Sequence, residues 1–197
     1  KFASSEEYVA RRKELGAKEV NRRFLQGTDI GCYLVDSGNR PETLCSVNGV
    51  GEIASTPSYE IVRMESVAEK VMHEGCTAEN YAKTFEKALE DSIHANVVGL
   101  KSVIAYRATL QVDPSRPTID EVTAAAGEWL KEIEATGKVR ITNTVLERHI
   151  IWHGADLSRS KGGLPIQFHI GVGDPDIELN KCDPSPLTQY FRDVEPW

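Results

Sequence analysis

The apolar positions of this chain fall into two rhythms, and their alternation predicts its fold class. They recur at helical spacing to about Leu25, with Ser4 or Ser5 placed to cap the helix, Glu6 and Glu7 in its first turn and Gly27 closing it. Ile30 to Val35 is a short apolar run of strand length that ends at Asp36-Ser37-Gly38. Residues 38–58 are rich in Gly, Pro, Ser and Asn and predict a loop with at most a short turn of helix. Tyr59 to Glu65 forms a second strand that runs into a helix over 66–73. Thr77 caps a long helix from about Ala78 to Ala95, with Tyr81, Phe85, Leu89 and Ile93 on one face. Val97 to Tyr106 is a third strand, interrupted by Gly99 and Lys101. After the turn Asp113-Pro114-Ser115-Arg116-Pro117, helices are expected from Thr118 to about Ala135 and from Thr142 to about Ser158. A fourth apolar run then leads to His169.

Apolar strands separated by amphipathic helices argue for a parallel sheet covered by helices. Periodicity alone does not separate an open doubly wound sheet from part of a (β/α)8 barrel. The open sheet usually carries a glycine-rich phosphate loop after its first strand. Gly171-Val172-Gly173 lacks the third glycine, and Pro175 stands where the helix should begin. The barrel is therefore the expected fold, with residues 1–197 in a single domain and no internal repeat.

Composition changes this picture little. Of the 197 residues 40% are hydrophobic and 27% charged, ordinary for a globular protein. A formal charge of −7 without a basic cluster disfavours nucleic acid and anionic membranes as partners. No apolar span is long enough for a membrane helix, and the first residues do not form a signal peptide. Cys32, Cys45, Cys76 and Cys182 are far apart and suit reduced thiols in a cytoplasmic protein. The absence of an initiator Met and the end at Glu195-Pro196-Trp197 lead us to expect a fragment.

Barrel enzymes keep their catalysts at strand C-termini, and polar residues of this chain stand there. Arg63 and Glu65, two apart, share one face of the second strand; an ion pair that only fills the interior explains them equally well. Lys101 interrupts an apolar strand, and burying an ammonium without a partner is costly, which favours a role in the site. Arg107 at the strand exit offers a fork of donors suited to a substrate carboxylate. His169 ends the fourth strand as a ready metal ligand or general base, with Asp174 and Asp176 beyond it. His73, His94, His149 and His153 fall on helices or their ends and suit surface or packing positions.

Three segments carry a family resemblance in their order and spacing: Lys101-Ser102-Val103-Ile104-Ala105-Tyr106-Arg107, Arg140-Ile141-Thr142-Asn143, and Gln167 to Asp176. With Leu34-Val35-Asp36-Ser37-Gly38 and Ile61-Val62-Arg63-Met64-Glu65, they resemble the amidohydrolase-related proteins of the nodulin type, some fused to glutamine-synthetase-like modules. The resemblance covers most of residues 18–192. It implies a (β/α)8 barrel of the metal-dependent hydrolase type, present here over about strands two to five. His169 then resembles the fifth-strand metal ligand and Lys101 the fourth-strand residue. The remaining ligands have no match, and no His-x-His occurs in the chain.

What the resemblance implies is a divalent metal, zinc or manganese, whose bound water attacks an amide or other C–N bond of a small carboxylated substrate. Lys101 and Asp174 are the expected catalytic residues, His169 and Lys101 the metal ligands. Arg107, Arg63, Glu65 and Asp176 are expected at the substrate. A homo-oligomer, or completion of the barrel by its missing strands, is expected as partner. A decarboxylase of the same superfamily and a non-catalytic scaffold or regulatory domain are the alternatives.

Overall fold

The computed structural model describes residues 3–38, 45–175 and 177–194. Its backbone divides into two compact units, Lys1–Glu60 and Ile61–Trp197, with the boundary inside the second strand.

The first unit holds helix α1 (Ser5–Gln26), strand β1 (Tyr33–Asp36) and helix α2 (Val47–Ala54). Ser4 caps α1 by accepting from the Glu7 amide, satisfying one of the donors a helix start leaves unpaired. Gly27 closes it, as the sequence predicts. Gly16 adopts φ 76° and ψ 161° and kinks the helix, a conformation that glycine takes without a side-chain clash. The Gln26 amide donates to the Ile53 carbonyl at 3.0 Å and so ties the end of α1 to α2.

Strand β2 (Ser58–Arg63) leads directly into α3 (Met64–His73), followed by α4 (Tyr81–Asp91), β3 (Val97–Ser102), α5 (Ile119–Thr136), α6 (Thr144–Ser160), β4 (Ile166–Phe168) and α7 (Thr188–Val194). Three elements differ from the pattern, the first being α2, which spans eight residues inside the stretch expected as a loop. The second strand stops at Arg63, so Glu65 belongs to the first turn of α3. The third stops at Ser102, and Ile104–Tyr106 forms a turn of 3-10 helix. Helix starts were legible in part: α4 begins after Asn80, beyond the expected Thr77 cap, whereas α5 and α6 begin close to where they were expected. Thr118 and Glu121 form a reciprocal capping box on α5, and Asn143 caps α6 by accepting from Val145 and Leu146.

The strands are bonded in the order β1-β2-β3-β4, and β3 runs parallel to β4 with Leu100, Lys101 and Ser102 facing Ile166, Gln167 and Phe168. This corrects the expectation of a partial (β/α)8 barrel of the amidohydrolase type. The fold is α/β, but the described sheet is an open array of four strands. Two helices separate β2 from β3 and β3 from β4, as the sequence pattern predicts. Among the described residues the strands form one row with β1 and β4 at its edges, so no barrel closes.

The core of the second unit joins Tyr81, Phe85 and Leu89 of α4 to Trp129 of α5, Leu100 of β3 and Leu146 and Ile150 of α6. Helix α6 is buried almost all round from Leu146 to Trp152, including Glu147, Arg148 and His149. It comes so close to α3 and β3 that a Cβ on Gly154 would meet Met64 Sδ and lie 3.8 Å from Leu100 Cδ1. That approach holds the C-terminal half of β3, and with it Lys101.

Candidate active site at the strand ends

Ser102 and His169 end the described ladder: the His169 amide donates to the Ser102 carbonyl at 3.1 Å. The His169 ring is half-buried and lies against Tyr106, with ring centroids 4.5 Å apart. Its Nε2 is buried and has no hydrogen-bond partner. An unpartnered Nε2 can hold the lone pair of the neutral ring. Burial, and then the Lys101 ammonium, hold its pKa below the ordinary value against the opposing pull of Val172 and Asp174. The imidazole is neutral at neutral pH.

The turn after β4 closes over this nitrogen. Gly171 has φ 69° and donates its amide to the Cys182 carbonyl at 3.0 Å. A Cβ on Gly173 would lie 2.9 Å from His169 Nε2 and strike the Tyr106 hydroxyl, so only glycine fits there. The same hydroxyl accepts from the Asp174 amide at 3.2 Å. Tyr106 thus supports both the ring and the turn.

Of the other expected site residues, Lys101 is half-buried beside His169, and Arg63 is half-buried at the end of β2. Asp174 is exposed in the turn, and its charge reaches His169. Asp176 lies outside the described residues. Glu65 is fully buried, its Oε1 accepting from Ser102 Oγ at 2.6 Å and from the Val103 amide at 2.8 Å. Arg107 is 9% exposed at its side chain and pairs with Glu69 at 3.0 Å. Glu65 and Arg107 therefore stand in the wall behind the strand ends, where the structure commits them to protein partners.

Sequence reasoning passed over Tyr106, Glu69 and Glu147. The last had a signal: Glu147 heads the stripe Ile150, Ile151, Gly154 and Ala155, so its spacing already puts it on the buried face.

The wall is built around Glu69, which accepts from the Ile141 amide at 3.0 Å as well as from Arg107. Arg140, next in chain, donates to the Tyr106 carbonyl at 2.9 Å. The Arg140-Ile141 segment is thereby fixed to both α3 and the turn after β3. A separate groove of about 320 Å³ runs along the start of β4 between α6 and α7, lined by Phe168, Tyr190 and Phe191. Its lining includes neither Lys101 nor His169.

Among the described residues, no group of three or more His, Cys, Asp or Glu side chains is arranged to hold a metal ion. His169 Nε2 has the lone pair a metal needs, but Gly173 and Tyr106 cover it. These residues do not fit a metal in the present arrangement. What they do offer is a neutral imidazole beside an ammonium group.

No family profile matches the chain. It is 25% identical over 188 residues to Protein fluG of Emericella nidulans, a match covering 84% of this chain and 22% of that protein. It also superposes on the crystal structure of a candidate metal-dependent hydrolase from Lactobacillus casei with a TM-score of 0.81 and 24% identity. That match covers 97% of this chain and 49% of the solved one. The chain thus spans about a fifth of the first relative and about half of the second. The structural likeness shows a shared fold. Among the described residues no helix is long and apolar enough to cross a membrane.

Proposed function

We propose that this chain contributes part of the active site of a metal-dependent hydrolase that cleaves an amide or related C–N bond in a small carboxylated substrate. One observation carries the reading: His169 leaves the C-terminal end of β4 as a neutral imidazole with an uncommitted Nε2, beside Lys101. In parallel α/β sheets that position faces the ligand crevice. The fold shared with the Lactobacillus casei protein supports the reaction class, since that protein is named for metal-dependent hydrolysis.

The chemistry assigned to this chain is that of its own side chains. Once the turn at Gly173 moves aside, His169 Nε2 accepts a proton, and the Lys101 ammonium favours negative charge developing beside it. Arg63, at the end of β2, is the cation we assign to the substrate carboxylate. Asp174 orients the turn that carries His169. A divalent metal, zinc or manganese, is proposed for the whole protein. The cytoplasm is the proposed setting, and a further copy of the chain the proposed partner.

A non-catalytic scaffold is the second reading, favoured by the covered Nε2 and by the absence of a three-donor group among the described residues. Metal analysis and turnover of N-acyl amino acids and related amides separate the two. Hydrolysis by the wild type that is lost in His169→Ala, with the fold retained, supports the hydrolase. No turnover across the panel, with equal metal content in both proteins, supports the scaffold.

A further inference from the structure

Behind the strand ends lies a buried carboxyl that the proposed function leaves unused. Glu147, four residues after the α6 cap, is fully buried, and neither of its carboxyl oxygens accepts a hydrogen bond. The second fully buried carboxyl, Glu65, spends one oxygen on Ser102 and Val103 and leaves Oε2 without a partner. The groups whose charge acts on Glu147 are Glu65 and Glu69 of α3, with Arg107 and Arg140 from the segments on either side of α5. From α4, the phenol of Tyr81 faces it, and Glu147 is the charge that phenol feels most.

Three carboxyls facing two guanidiniums leave one proton to be placed. Glu69 is held by Arg107 and the Ile141 amide, and Glu65 by two donors. Glu147 has none. An ionised carboxylate stripped of water and of donors is far costlier than its neutral acid. A neutral acid in turn needs an acceptor for its O–H; Glu65 Oε2 and the Tyr81 phenol oxygen are both without a partner, and the carboxylate is the stronger acceptor of the two.

We propose that Glu147 is a carboxylic acid at neutral pH and supplies the single proton of a Glu65–Glu147 pair, which keeps Glu65 as the acceptor that positions Ser102 and Val103 at the end of β3. The pair therefore acts through the backbone beneath the site. It sets the exit of β3 next to Lys101 and the turn that carries Tyr106 under His169. The inference holds whether or not the protein is a hydrolase.

Burial first, and the neighbouring Glu65 charge next, push the carboxyl of Glu147 well above its ordinary range. The native state thus holds a proton that the unfolded chain releases above the ordinary Glu value, and stability falls as pH rises through that window. Infrared spectroscopy of the full chain in D2O tests the proton directly. The wild type at neutral pH should show the carbonyl stretch of a protonated side-chain carboxyl, and Glu147→Gln should lose it. Glu65→Gln should keep the band but shift its frequency, because an amide replaces the carboxylate as acceptor. The Glu147→Gln variant should also gain denaturant resistance over wild type as pH rises from about 5 to about 9. A wild type without the band, a band that survives in Glu147→Gln, or an unshifted band in Glu65→Gln overturns the proposal.

Discussion

Gly154→Ala sets two effects of known size against each other. In an unobstructed helix this change stabilises by about 1 kcal/mol, since alanine loses less backbone freedom on folding. Gly154 is not unobstructed: the new Cβ would meet Met64 Sδ, with Met64 Cε at 3.2 Å. Met64 is 0% exposed, so its thioether cannot swing into solvent and must repack within the core. Forcing a methyl into a filled interior costs about 1–3 kcal/mol. The net effect should be a loss on the order of 1 kcal/mol. Gly127 is the internal control, because a Cβ there meets only Ala78 Cβ at an ordinary 3.7 Å. Gly127→Ala should gain about 1 kcal/mol. Urea denaturation of both variants beside wild type measures the difference from the midpoints at unchanged slope. A Gly154→Ala protein as stable as Gly127→Ala would refute the close approach of α6 to α3 and β3. The variant should also weaken the site, since Leu100, next to Lys101, is part of that contact.

Arg107→Ala should cost about 3 kcal/mol in denaturation, near the lower end for breaking a buried pair because Glu69 keeps some access to water. A loss well under about 1 kcal/mol would argue that the pair is not held in solution. Tyr106→Phe keeps the ring against His169 but removes the acceptor for the Asp174 amide; a loss of about 1 kcal/mol is expected, with faster hydrogen exchange at that amide. Unchanged exchange would remove Tyr106 as the support of the turn. Burial, then His153 and Arg116, push His149 down to about 4. Its native pKa lies below the unfolded one, so the unfolded chain binds the extra proton and stability drains as pH falls from about 6.5 to 4, by on the order of 3 kcal/mol. His149→Gln should flatten that stretch of the stability–pH curve, and an unchanged slope would contradict the burial of a neutral imidazole.

The parts legible in the sequence were those with local causes. Ser4, Thr118 and Gly27 mark helix ends because caps act within one turn, and the Tyr81, Phe85 and Leu89 stripe marks a buried face because helical spacing does. The strand carrying His169 showed itself as an apolar run. Glu65 and Arg107 were expected at the mouth because barrel enzymes keep their catalysts at strand C-termini. Their partners decide otherwise, and those are distant in chain: Ser102 and Val103 lie 37 and 38 residues from Glu65. Rhythm could not separate the barrel from the open sheet, because both bury their strands. The order in which the strands bond decides it, and that order is set by contacts distant in the chain.

Strand β4 has only three residues and ends the sheet, so β3 is its one bonded neighbour among the described strands. An element held along one side opens at lower free energy than the core that supports it. His169 hangs from the last rung of that ladder, whereas Lys101 is carried by β3 between β2 and β4. The site therefore has its own melting order. Under mild denaturant, β4 should peel away and separate the imidazole from the ammonium while the helical core still counts as folded.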